Sequence, residues 1–507
     1  MKKMLSVFKY PALFITLGAL VFVASLSQPR RAQLQTERIY RFTKTKGINI
    51  PILPRAEFAD RFSRDPAIPQ RSDAVIQLAR KLYLPEREEI REECGEVPLG
   101  RLFIALTNPD ISDEARNEVD NAIDANTPSL PQTYTEGHFR FYYTDNDSNT
   151  DHNVTLSDIQ ATAQALNHAW DNYVQDFIEP KHYVTGGGCS PKKKMIDVKV
   201  YYLGQYLYGA TSSFWDFIEL NSKHVVKNSC ERQTTPAHEL FHRVQYSYGY
   251  VSGTSNMKWA TEGTASWAQK YKAPAMGDWM DRMNEGLNIP DVDLISGRSY
   301  DACHFWVYLG QQGNGEVATI REVWSNCQAN GNNMKAAVET TIKNRVPNGS
   351  SFDQFAGWWA SANFFKDLSN ASQNYDYQED ELTLSCGGAN YGPLGQVPRT
   401  ANDLNVGSNH TINGSVYPYG ADYYVFSIGN TVRNIEIVCT GANQNFGYAL
   451  IEIKDNLMVN YASTPGGQQK DYEFKKTVAP GDLSHVTLVV IGNPQGGNYT
   501  IVAQGSN

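Results

Sequence analysis

His238-Glu239-Leu240-Phe241-His242 is the stretch on which the reading of this 507-residue chain turns. On a helix, residues four apart project from one face. Both imidazoles can therefore hold one Zn²⁺ ion, with Glu239 beside them to take a proton from water. Only ten histidines occur in the sequence, so composition does not explain two at helical spacing around a glutamate. The bland alternative is a solvated helix face with two exposed histidines. Ala237, Leu240, Phe241 and Val244 argue against it by giving the segment apolar flanks. Polar groups carried into such surroundings cost free energy unless they are liganded or hydrogen-bonded. Thr234-Thr235-Pro236 reads as the start of the helix.

A catalytic zinc ion takes three protein ligands and keeps one position for water. Glu262 is the candidate third ligand. It lies twenty residues after His242, in Trp259-Ala260-Thr261-Glu262-Gly263-Thr264-Ala265-Ser266-Trp267, which reads as the start of a second helix. Gly263 and Ala265 suit a close approach of two helices sharing a metal; the competing reading is a surface glutamate favoured by the helix dipole. Hydrolysis also needs a donor for the developing oxyanion. Tyr300 and His304 are four apart in a helical pattern and are expected on one face. Tyr300 is the first choice, against the alternative of a tyrosine packed only by its ring.

Outward from this core, His138-Phe139-Arg140-Phe141-Tyr142-Tyr143-Thr144 alternates aromatic and polar residues at the strand period. A helix is expected over 156–174, with Ile159, Ala163, Leu166, Trp170 and Val174 on one face. Strands are expected over 195–203 and 213–220, the latter a candidate edge for an extended peptide. Helical pattern runs from 235 to 365, broken by turns at 311–316 and 344–351. Residues 368–398 lack periodicity and read as a linker. Strands over 422–428, 434–440, 447–454, 485–492 and 498–503 predict an antiparallel sandwich spanning 399–507. Residues 28–135, dense in charge and proline, read as an N-terminal extension or propeptide-like segment with helices near 73–84 and 112–123. The expected fold is an α+β domain over 136–367 followed by an all-β sandwich.

Met1-Lys2-Lys3 and Lys9 precede an apolar run over 12–24, the pattern of a secretory signal ending near residue 27. The run is shorter than the ~20 residues of a bilayer span, so an uncleaved anchor is the less favoured reading, and no later segment approaches that length. Lys and Arg number 45 against 54 Asp and Glu, a net charge of −9. Without a basic stripe, this argues against nucleic acid as a partner. Seven cysteines form no Cys-x-x-Cys pair. Export permits disulfides, the odd count leaves at least one thiol outside any intrachain bridge, and spacing fixes no pairing. Nothing in the sequence sets an oligomeric state.

The zinc-helix pentapeptide followed by Trp259-x-x-Glu262-Gly-x-Ala265 resembles the gluzincin class of zinc metallopeptidases. Residues 137–365 are similar to exported bacterial metallopeptidases in which an aromatic strand such as Phe139–Tyr143, a Tyr208-Gly209 segment, the zinc helix and a later helical tyrosine occur in this order. The run Tyr417-Pro-Tyr-Gly-Ala-Asp-Tyr-Tyr-Val-Phe426 resembles a bacterial pre-peptidase C-terminal sandwich. The resemblance implies a zincin-like catalytic fold, with His238, His242 and Glu262 as ligands of one catalytic Zn²⁺ and Glu239 as general base. It implies a secreted enzyme that hydrolyses peptide bonds of a protein or peptide substrate through a zinc-activated water. Two departures matter. Ser266 stands where thermolysin-like members place a carboxylate that orients a ligand histidine, so these outer partners must differ. The Gly-x-Met-Glu-Asn signature of the aminopeptidases is absent from the sequence, which favours an endopeptidase. The alternatives are an exported binding or adhesion protein on an inactive peptidase fold and a zinc hydrolase of a non-peptide bond.

Overall fold

A computed structural model describes residues 42–45, 48–51, 68–83 and 96–507, apart from 186–192, 214–216, 251–256, 274–275, 350, 367, 369–376, 379–381, 443, 465–468 and 493. The expected signal segment lies outside the described residues. Among those described, no helix is long and apolar enough to cross a membrane.

Strands β1 (Phe42–Thr45) and β2 (Ile48–Pro51) pair as a hairpin. Helices α1 (Ser72–Tyr83), α2 (Glu96–Leu106) and α3 (Asp113–Asn126) follow. Ser112 caps α3, its hydroxyl accepting from Ala115 N at 3.1 Å. The sequence pattern does not announce α2, because Pro98 and Gly100 mask the buried run Leu102-Phe103-Ile104-Ala105-Leu106. These helices share a core with Ala210 and Phe217 of the central sheet, so they pack on the part that follows.

That sheet comprises β3 (Gln132–Glu136), β4 (Phe139–Tyr143), β5 (Tyr183–Thr185), β6 (Lys193–Tyr201), β7 (Gly209–Thr211) and β8 (Phe217–Asn221). Its order is β3-β4-β6-β8-β7, with β5 beside β6. Strands β4, β6 and β8 are mutually parallel, while β3 and β7 close the edges antiparallel. The expected edge at 213–220 is therefore corrected: β8 is internal. The three-residue β7, too short to read from pattern, returns along its outer side. A parallel step needs a crossover, and α4 (Leu156–Asp176) supplies it between β4 and β6, opened by a reciprocal Thr155–Asp158 capping box. Its buried stripe is Ile159, Ala163, Leu166, Trp170 and Tyr173, while Val174 is 39% exposed. Steps of four and three keep pace with 3.6 residues per turn, whereas a second consecutive step of four drifts off the face.

Seven further helices follow: α5 (Glu231–Ser247), α6 (Lys258–Lys272), α7 (Asp278–Asn288), α8 (Cys303–Gln312), α9 (Glu316–Ala329), α10 (Met334–Arg345) and α11 (Phe352–Phe365). Helix α5 starts at Glu231, so Pro236 lies inside it and removes one backbone bond, rather than opening its first turn.

The segment expected as a linker carries a hairpin, β9 (Leu384–Cys386) and β10 (Ala389–Tyr391). Its turn uses Gly387 at φ +60° and Gly388 at φ +88°, a conformation open to glycine. Cys386 is disulfide-bonded to Cys230. Cys303, Cys327 and Cys439 are buried thiols, and Cys94 and Cys189 lie outside the described residues.

Nine strands close the chain: β11 (Thr400–Leu404), β12 (Asn409–Val416), β13 (Ala421–Ile428), β14 (Asn434–Gly441), β15 (Phe446–Lys454), β16 (Leu457–Ser463), β17 (Asp471–Thr477), β18 (His485–Gly492) and β19 (Gly497–Ser506). Two sheets, β11-β13-β18-β15-β16 and β12-β19-β14-β17, face each other. The expected antiparallel pattern holds except for β11, which runs parallel to β13. Strands β11, β12, β16 and β17 escape the sequence pattern because much of their surface faces water. In β15, Phe446, Tyr448 and Leu450 enter the core between the sheets, while Ala449, Ile451 and Ile453 join the core shared with the helices.

Tyr173 donates from its hydroxyl to the Ala237 carbonyl at 3.0 Å and is fully buried, tying α4 to α5. Tyr173→Phe is expected to cost about 1 kcal/mol and Tyr173→Ala about 3–5 kcal/mol, while Val174→Ala stays within about 0.5 kcal/mol. Denaturant unfolding checks the order; equal losses at 173 and 174 would overturn the stripe.

Candidate metal centre

Helices α5 and α6 pack side by side and bring three side chains to one point. Ligand atoms of His238, His242 and Glu262 all lie within 4.8 Å of one another. The Glu262 Oε2 atom is 3.2 Å from His238 Nε2 and 3.4 Å from His242 Nε2. Those are the edge lengths of a tetrahedron with bonds of about 2.0–2.1 Å, the spacing of nitrogen and oxygen donors around zinc. His238 is 4% exposed, Glu262 1% and His242 0%. Burial pushes the Glu262 carboxyl up, but the two histidines outweigh it and hold it down at about 2. Burial lowers His238, against the pull of Glu262. The arrangement is a buried carboxylate set against two imidazoles, a donor set suited to a cation.

The departure at Ser266 has a structural counterpart. The His242 Nδ1 atom lies 2.9 Å from Gln245 Oε1, an oxygen that can only accept, so Nδ1 carries the proton and Nε2 offers its lone pair. The Gln245 amide nitrogen donates to Thr261 O at 2.8 Å and Thr264 Oγ1 at 3.1 Å, locking the amide to α6. Gln269 hydrogen-bonds His238, and its Nε2 donates to Asp278 Oδ2 at 3.1 Å. Glutamines thus orient both histidines. Gln269 stands seven residues after Glu262, on the same helical face, and Gln245 three after His242; those spacings were the available signal.

Glu239 is fully buried and lines a cleft of ≈ 230 Å³ with His238, Tyr208, Glu231, Asp278, Asp281, Tyr300 and Tyr391, among others. It lies hard against β7: a Cβ on Gly209 would stand 2.7 Å from its Oε1. Gly263 serves a different contact from the one expected. A Cβ there would meet the Trp306 ring at 2.6 Å, and Trp306 Nε1 donates to Trp259 O at 2.8 Å. The glycine admits a tryptophan of α8.

Tyr300 and His304 part company. Tyr300 sits in a 3₁₀ turn, Tyr300–Ala302, before α8 begins, and its ring lies 5.8 Å from that of His238, in the cleft. His304 is fully buried outside the cleft, bonded to Asp301 O and 4.8 Å from the Trp359 ring. The tighter turn breaks the four-residue spacing on which the shared face depended.

No family model matches the sequence, and no curated protein matches it. Among solved structures, 22% of the chain is similar to the whole pre-peptidase C-terminal domain of a collagenase from Bacillus anthracis, at 20% identity and a TM-score of 0.17. A further 22% match covers the whole of PliG, a periplasmic lysozyme inhibitor of g-type lysozyme from Aeromonas hydrophila, at 7% identity and a TM-score of 0.16. The Yersinia pseudotuberculosis-derived mitogen matches over 19% of this chain and 85% of its own, at 17% identity and a TM-score of 0.15.

Burial and the neighbouring Asp278 push the Glu231 carboxyl up from 4.5 to about 7. For a raised folded-state value, the associated stability is present below the unfolded pKa and is lost as pH rises through the folded one. Glu231→Gln is therefore expected to raise Tm by roughly 2–4 °C at pH 8, with the gain largely gone at pH 5. Melting curves at the two pH values check this; an equal shift at both would place the cost elsewhere.

Proposed function

We propose that the chain is an exported zinc metallopeptidase of zincin-like fold that cuts internal peptide bonds. The observation that carries the reading is the buried convergence of His238, His242 and Glu262 beside Glu239 in a cleft. Zinc, when bound by those three, supplies Lewis acidity to a substrate carbonyl and lowers the pKa of a water. The Glu239 carboxylate accepts a proton as general base and returns it to the leaving amine. Tyr300, on the same cleft, offers its hydroxyl to the developing oxyanion. Gln245 fixes the His242 tautomer, and Gly209 leaves room for the Glu239 carboxyl. The Cys230–Cys386 disulfide suits an oxidising compartment, in keeping with export. The terminal sandwich is read as an accessory module of the pre-peptidase kind, on its aromatic run from Tyr417 to Phe426.

Purified protein is expected to hold one zinc per chain and to lose hydrolysis of a denatured protein substrate on chelation. Glu239→Gln should lower kcat by about 10²–10⁴ with zinc retained. Normal turnover in that variant would remove Glu239 from the mechanism, and zinc-loaded protein that cleaves no peptide would turn the reading towards binding.

Gln245→Leu removes the acceptor at His242 Nδ1 and should weaken zinc binding by about 10–100-fold, read by competition with a chromogenic chelator. Glu262→Ala should weaken it further. Unchanged affinity in Glu262→Ala would discard that ligand.

A further inference from the structure

Glu231 stands in the first turn of α5, Asp278 and Asp281 in the first turn of α7, and all three face the cleft that holds the metal triad. Among the described residues, no lysine or arginine forms an ion pair with any of them. Glu231 feels the like charges of Asp278 and Asp281, and Asp281 that of Glu285. Their described hydrogen-bond partners are neutral: Thr235 Oγ1 donates to Glu231 at 3.2 Å, and Gln269 Nε2 to Asp278 at 3.1 Å. Arg282 also lines this cleft; its guanidinium pairs with Glu285 at 3.1 Å and rests 5.3 Å from the Tyr300 ring centre. Three carboxylates gathered in one cleft with no ion pair of their own among the described residues repel one another, and a positive ligand group would relieve that cost.

An independent feature points to the same place. Tyr391, at the end of the β9–β10 hairpin, lines the cleft, its ring pressed on the α7 N-cap: a Cβ on Gly277 would lie 2.7 Å from it. Two strands of three residues have little stability alone. The hairpin is stapled by Cys386 to Cys230, the residue before α5, where no side chain caps the helix. The covalent link thus fixes an aromatic ring at a cleft wall that already carries Tyr208 and Tyr300.

Resting on the metallopeptidase reading, we propose that this wall is the subsite for a basic side chain of the substrate, a lysine or arginine. Its charge meets Glu231, Asp278 and Asp281, and its methylene stem lies under the disulfide-tethered ring of Tyr391. Carboxylates with aromatic faces are the combination that holds an ammonium or guanidinium group while covering its stem. The disulfide acts as a positioning device for Tyr391.

The test uses the zinc-loaded full chain at pH 8, with peptides that differ at one residue beside the scissile bond: lysine, arginine, norleucine or glutamate. Cleavage is expected to favour lysine and arginine over norleucine by roughly 10–100-fold, mostly through KM, with glutamate the poorest. The Glu231→Gln/Asp281→Asn double variant should reduce the lysine-to-norleucine ratio to near one at unchanged zinc affinity. Tyr391→Ala and Cys230→Ser/Cys386→Ser should both raise KM for the lysine peptide. Calorimetric binding of the same peptides to the Glu239→Gln protein reads the subsite without turnover. If no peptide is cleaved, the function proposed above fails while this arm still decides the subsite. Equal binding of lysine and norleucine peptides, or a preference that survives the double carboxylate variant, would overturn the proposal.

Discussion

A carboxylate removed from water between two imidazoles is the constraint around which the centre is arranged. Glu262 pays for its burial through contacts of 3.2 and 3.4 Å to His238 and His242, and those contacts exist only if α5 and α6 hold one register. Much of the surrounding structure enforces that register. Gln245 reaches from α5 to the backbone and a hydroxyl of α6. Tyr173 reaches from α4 to the backbone of α5. Arg243, fully buried on α5, donates from Nε to Lys181 O at 2.8 Å and so binds the helix to the segment before β5. A half-turn slip of either helix would break these bonds together and leave a buried carboxylate without partners, a loss of several kcal/mol.

The neutral character of the orienting groups has a chemical consequence. A carboxylate bonded to a ligand histidine makes the imidazole more basic and adds negative charge near the centre; a glutamine fixes the tautomer and adds none. With Gln245 on His242 and Gln269 on His238, the charge of the donor set is that of Glu262 alone. Under the metallopeptidase reading, a bound dication would keep net positive charge, which favours polarisation of a carbonyl. The further acidic groups Glu231, Asp278 and Asp281 line the same cleft, Asp278 reaching His238 only through neutral Gln269, and under the subsite proposed above their charge is met by the substrate.

Features resting on short-range periodicity were legible in the sequence. The pair His238 and His242, the helix bearing Glu262, the α4 stripe as far as Trp170 and five sandwich strands follow from spacing alone. What escaped depends on distant partners. A three-residue edge strand has no period, so β7 was hidden and β8 looked like an edge. Val174 and Tyr173 are both apolar enough to serve, and only the partner surface chose between them. The β9–β10 hairpin is polar, and its order comes from Cys230, 156 residues away, so composition made it look like a linker. α-Helical spacing puts His304 on the face of Tyr300, and the 3₁₀ turn at Tyr300–Ala302 suspends that spacing.

The terminal sandwich bears on the cleft through backbone contacts that a flexible tether would not make. Directly after α7, Pro290 O accepts from Ala421 N at 2.8 Å, and Leu294 N donates to Pro418 O at 3.3 Å. Tyr423, on β13, donates to Ala360 O of α11 at 2.7 Å, and the Tyr419 ring meets Phe352 at 4.9 Å between centres. The outer face of β13, β15 and β18 continues the hydrophobic core of the helices. Helix α7 is therefore held at both ends, by the stapled hairpin against Gly277 and by the sandwich beyond Asn288. It is also the helix that presents Asp278 and Asp281. Swinging the sandwich away would expose apolar surface on α11 and strip hydrogen bonds from the segment that ends α7, so it belongs to the framework that sets the shape of the cleft.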